Sequence, residues 1–138
     1  RQRQMCIRDS FYGHAAKSTE LADAILMRLR MDTAGRTRIT QLIRYHDLPI
    51  APEPKPIRRL MHKLGVEPVR QLFALHIADT CGQSAICAGR VETYRQAERV
   101  LDELLAALPE LVQPGDCVLV KASHSMAFER IVQALTQA

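Results

Sequence analysis

Ala51-Pro52-Glu53-Pro54-Lys55-Pro56-Ile57-Arg58-Arg59-Leu60-Met61-His62-Lys63-Leu64-Gly65 carries the punctuation on which the fold turns. Alternating prolines cannot carry a helix in from upstream, because each lacks a donor and pushes the residue before it out of the helical region. Pro56 suits the first turn of a new helix, where its missing N–H is no loss. Ile57, Leu60, Met61 and Leu64 then recur at spacings of three and four, and Gly65 is the stop. The segment predicts a short amphipathic helix set between two others.

Upstream, Ala16, Leu21, Ala24, Ile25 and Leu29 repeat at helical spacing from Gly13 onward, and Leu26 and Met27 widen the stripe. Asp32 or Thr33 can cap a second helix bearing Ile39, Leu42, Ile43 and Tyr45, which must stop near Asp47 before Leu48-Pro49. Downstream, a fourth helix starts at Glu67-Pro68 and carries Val69, Leu72, Phe73, Leu75, His76, Ala78 and Asp79. Gly82 to Gly89 reads as a loop, and a fifth helix runs from about Val91 to Leu108 with Tyr94, Ala97, Val100, Leu101, Leu104 and Leu105.

The pattern changes after Leu108. Gln113-Pro114-Gly115-Asp116 is turn chemistry, Cys117-Val118-Leu119-Val120 reads as a buried strand, and Met126 to Leu135 as a last helix. A single strand cannot make a sheet, so this tail has the look of a piece taken from a larger one. At the other end, residues 1–10, RQRQMCIRDS, carry no amphipathic period and resemble translated sequencing-adaptor read-through; a native basic arm is the alternative. The expected organisation is a non-native leader at 1–10, a helical domain at 11–107 and a strand-loop-helix tail at 108–138.

Composition agrees with a mostly α chain. Of 138 residues, 47% are hydrophobic and only 4% aromatic, so the core must be built from aliphatic side chains, which suits packed helices. Cys6, Cys81, Cys87 and Cys117 have neither CxxC spacing nor a disulfide framework, which points to reduced thiols and a cytoplasmic protein. No apolar run reaches the length of a membrane span, so no membrane partner is expected, and nothing in the pattern indicates an oligomeric state. The net charge of +4 is compatible with a phosphate-bearing partner.

Histidines and acids supply the candidate chemistry. His14 opens the first helix and His46 closes the second; antiparallel packing across the Asp32 turn would bring them to one end of a bundle. His76 and Asp79, three apart, share a helical face. Imidazoles and carboxylates converging there are what a divalent metal needs. Each also has a plainer reading: His14 as a cap, His46 beside a helix C-terminus, His76 as a satisfied core histidine. Arg36, Arg38, Arg44, Arg58, Arg59, Lys63 and Arg70 are candidates for phosphate contact or, as plainly, a solvated face.

Several blocks together resemble the HD-type region of bacterial CCA-adding tRNA nucleotidyltransferases. They are Phe11-Tyr12-Gly13-His14, Leu21 to Arg30, Leu42-Ile43-Arg44-Tyr45-His46-Asp47, Lys55 to Met61 and Arg70 to Asp79, covering about residues 11–106 in the family's order. The resemblance implies an HD-type helical bundle fragment, with a partial divalent-metal site at His14, His46 and Asp79. His76 departs from the family's pattern and inherits no role. The resemblance also implies a part in tRNA 3′-end maturation and possible contact with tRNA, for which Arg58, Arg59, Lys63 and Arg70 are the candidates. The family's His-Asp doublet precedes the Gly-His block and is not in this sequence, nor is the paired-carboxylate nucleotidyltransferase head. No catalytic residue is assigned, and the expected function is that of an HD-region fragment inactive alone. The alternatives are a non-catalytic RNA-binding or scaffolding module and a metal-dependent phosphohydrolase of the HD superfamily. Leu111 to Met126, within a match over about residues 108–137, is similar to the C-terminus of the UDP-N-acetylmuramoyl-tripeptide–D-alanyl-D-alanine ligases; this implies a chimeric join between Glu103 and Glu110 and no ligase activity, the alternative being a natural extension of the helical domain.

Overall fold

The computed structural model describes residues 13–83, 89–113, 115–119 and 129–136. They form a mostly helical bundle: α1 (His14–Arg28), α2 (Thr33–Tyr45), α3 (Pro54–Leu64), α4 (Val66–Gly82), α5 (Gly89–Ala106), a 3-10 turn (Pro109–Leu111) and α6 (Glu129–Thr136). Among the described residues there is no helix long and apolar enough to cross a membrane.

Local chemistry sets the boundaries. α1 closes with Arg30 in the left-handed region at φ 56°, where its N–H reaches Met27 O and the N–H of Met31 reaches Leu26 O. These two bonds occupy carbonyls that the helix end leaves open. Of the two expected caps for α2, Asp32 is the one used: its Oδ1 accepts from the N–H of Gly35 at 2.8 Å. A Cβ at Gly35 would stand 3.0 Å from the other carboxylate oxygen, so glycine lets this cap sit close. α3 begins at Pro54, two residues before the expected Pro56, because both prolines fit within its first turn. Gly65, at φ 90°, ends α3 and redirects the chain at once into α4.

The core lies among α3, α4 and α5. Ile57, Leu60, Met61 and Leu64 of α3 meet Val66, Val69, Leu72 and Phe73 of α4 and Ala97 and Leu101 of α5, with Ile50 sealing one side. Burying each large apolar side chain completely is worth about 1.5–3 kcal/mol, so this aliphatic cluster with its one phenylalanine dominates the stability. α2 leans on it through the half-buried Leu42 and Tyr45. Arg70 of α4 ties to α5 by ion pairs with Asp102 and, at 3.9 Å, Glu98.

Two features depart from the sequence pattern. α1 buries no residue: Leu21 and Leu29 are 64% and 67% exposed, and Ile25 and Met27 are exposed as well. Among the described residues its one extensive contact is with α2, and a helix with one neighbour can cover only one side of a broad apolar stripe. The expected strand at Cys117–Val120 is also not formed. Cys117, Val118 and Leu119 belong to no strand and stand in solvent, while Val120 lies outside the described residues. No partner edge exists among the described residues, and an unpaired strand has no ladder to hold it. The last helix starts later than expected, at Glu129, with Met126 outside the described residues. Residues 1–10 and most of the loop expected at Gly82–Gly89 also lie outside them.

Candidate functional site

The antiparallel α1–α2 hairpin brings His14 and His46 to the same end of the bundle, as their positions in the two helices predict. Their Nε2 atoms are 3.2 Å apart, with rings edge to face at 84°. His46 Nδ1 lies 2.6 Å from Ile43 O. A carbonyl only accepts, so Nδ1 carries a proton, and the neutral tautomer with that proton has its Nε2 lone pair turned toward His14. This backbone anchoring of one imidazole nitrogen is how proteins orient a histidine whose other nitrogen takes a ligand.

Asp79 is placed differently. It is exposed on α4, and its Oδ2 accepts from Gln83 Nε2 at 2.6 Å. Among the described residues no group of three or more His, Cys, Asp or Glu side chains could hold a metal ion. Among the described residues, then, the imidazoles that meet are the pair His14 and His46. Asp79 still acts on this end of the molecule through its charge. Burial, and then the nearby His46, hold the pKa of His76 below 6.5 against the opposing pull of Asp79 and Asp47. His76 is 6% exposed, its Nε2 has no hydrogen-bond partner among the described residues, and its ring stacks on Tyr94 at 4.5 Å. The reading of His76 as a satisfied core histidine is thus half right: it is in the core, and it is not satisfied. Burial likewise pushes the Tyr94 phenol above its ordinary value of 10.0.

The basic candidates separate into two places. Arg58, Arg59 and Lys63 lie together on the outer face of α3, where with Lys55 and His62 they line an open depression of about 600 Å³. Lys63 Nζ sits 4.9 Å from the centroid of the Tyr45 ring, which steadies it by cation–π attraction. The ion pairs seen among the described residues join acids to Arg36, Arg70 and Arg99, and none of them engages these cations. Arg70 does not join the row. Its guanidinium is turned to α5 and neutralised there by Asp102 and Glu98. Lys55 and His62 were not singled out from the sequence, although they stand three before Arg58 and three after Arg59, on the same helical face.

Comparison of the chain with protein-family models, with curated proteins and with solved structures found no match.

Proposed function

We propose that this chain is part of the HD-type helical region of a CCA-adding tRNA nucleotidyltransferase and acts as a non-catalytic module that rests against RNA phosphates. The observation that carries the reading is the outer face of α3. The chain holds 19 basic and 15 acidic residues, and α3 contains four of the basic and none of the acidic, so the rest of the sequence is in charge balance. A rigid helix, anchored by four buried side chains on its inner face, presents the whole net charge on its outer one. The order of the sequence blocks and the meeting of His14 with His46 are also what the family resemblance implies.

Each phosphate neutralised releases counterions, so affinity falls steeply with salt. For four cations the slope of log K against log salt is about −2.8 on single strands and about −3.6 on duplex. Between about 50 and 200 mM salt this is a loss of about fifty- to one-hundred-and-fifty-fold. Fluorescence anisotropy with labelled tRNA measures it, and Arg58→Glu with Arg59→Glu should abolish binding. Unchanged affinity in that double variant would remove α3 from the interface and defeat the reading.

The histidine pair favours a second reading, a remnant of a metal-dependent phosphohydrolase site. Two Nε2 atoms 3.2 Å apart can share one ion, given metal–imidazole bonds of about 2.0–2.1 Å. With two ligands the binding should be weak. Calorimetry with manganese or nickel checks this, and tight one-to-one binding that disappears in His14→Ala would favour the phosphohydrolase over the module.

A further inference from the structure

We infer that RNA binding to the α3 row takes up a proton at His62, so that the affinity of this surface for a phosphodiester backbone rises as pH falls. The inference rests on the reading of α3 as the RNA contact and adds to it a regulatory group.

Among the described lining residues, His62 is the one imidazole, the side-chain type that changes charge in the physiological pH range. The other four lining residues, Lys55, Arg58, Arg59 and Lys63, are permanent cations there. Helical spacing places His62 four residues after Arg58 and three after Arg59, one turn along the same face, so a phosphate seated against the arginines lies within reach of the imidazole. The ring is exposed, and no hydrogen bond or ion pair to a described residue occupies either nitrogen. α4 and α5 cover the opposite, buried face of α3 and contribute no described residue to the lining, while α2 meets the row at Tyr45, whose ring lies against Lys63 and not His62. The first charged residue of α4 is Glu67, beyond the Gly65 break, and it is not among the lining residues.

Linkage gives the sign. A bound phosphate favours the imidazolium over the imidazole, so the complex holds more protons than the free protein and affinity increases toward acid. The energy is that of one exposed charge pair, which corresponds to about 1.4- to fivefold in affinity. The added contact also steepens the salt dependence by about 0.7–0.9 in slope.

The test measures tRNA affinity of the full chain at about pH 6 and about pH 8, in wild type and in His62→Gln, each across a salt series. The wild type should bind about 1.4- to fivefold more tightly at the lower pH, with the steeper slope, and His62→Gln should bind equally at both. Calorimetry in buffers of different ionisation enthalpy should show proton uptake on binding that the variant lacks. Salt-dependent binding whose pH response is the same in His62→Gln overturns this inference and leaves the RNA reading standing. No binding of tRNA at any salt or pH overturns both.

Discussion

Phe73→Ala and Leu21→Ala form a pair that tests where the stability of this chain resides. Both residues belong to apolar helical stripes in the sequence, yet Phe73 of α4 is completely buried in the core whereas Leu21 is 64% exposed on α1. Truncating a buried phenylalanine removes its transfer energy and leaves a cavity, together about 3–5 kcal/mol. Truncating an exposed leucine changes stability by no more than about 0.5 kcal/mol. A domain of this size is stable by about 5–15 kcal/mol, so the first change consumes a large fraction of the total and the second almost none. The chain has no Trp, so urea unfolding is best followed by far-ultraviolet circular dichroism. With a denaturant slope of about 1.5 kcal/mol/M, Phe73→Ala should lower the midpoint by about 2–3 M, with Leu21→Ala within about 0.3 M of wild type. A comparable loss in both variants would mean that the α1 stripe is packed in a core, and the placement of α1 outside it would be refuted.

What was legible in the sequence was local. The prolines before Ile57, the glycine at 65 and the Asp32 cap each act within a few residues, and the structure uses all of them. The meeting of His14 and His46 was legible for a related reason, since an antiparallel hairpin of known helix ends leaves little freedom in which residues share an end. The exposed face of α1 was not legible, because a stripe of Leu21, Ile25 and Leu29 shows that a helix can bury a face and says nothing of whether a neighbour covers it. The missing strand has the same cause in reverse: Cys117 to Leu119 have the residue types of a strand, but strands exist only in pairs.

Tertiary placement likewise separates the basic candidates. Arg58 and Arg70 look equivalent in a charge count, and only the redirection of the chain at Gly65 turns one outward and the other onto Asp102. The stack of His76 on Tyr94 joins α4 to α5 across residues that no sequence period links. By contrast, Lys55 and His62 could have been found, because their spacing from Arg58 and Arg59 places them on one face of a helix already predicted.

Two further outcomes follow from burial. His76 favours its neutral form in the folded state, mainly through desolvation, so the unfolded chain binds more protons below the ordinary value of 6.5. Stability should therefore be complete above that value and fall as pH drops through the window beneath it. Urea midpoints across this range in wild type and His76→Phe check it, and an undiminished acid loss in the variant would exonerate His76. Deleting residues 109–138 should leave α1–α5 folded. Leu111, Val118 and Leu119 are exposed and contribute no burial, while Ile131 of α6 is half-buried against the core. Half of the about 1.5–3 kcal/mol for a fully buried aliphatic side chain is about 1 kcal/mol. For a domain near a hundred residues that lowers the melting midpoint by about 4–8 °C. A shift of that size, with the helical signal of α1–α5 retained, makes the tail an accessory that leans on the core at Ile131. Loss of cooperative melting would instead make α6 an integral wall of the bundle, and the division near Leu108 would have to be abandoned.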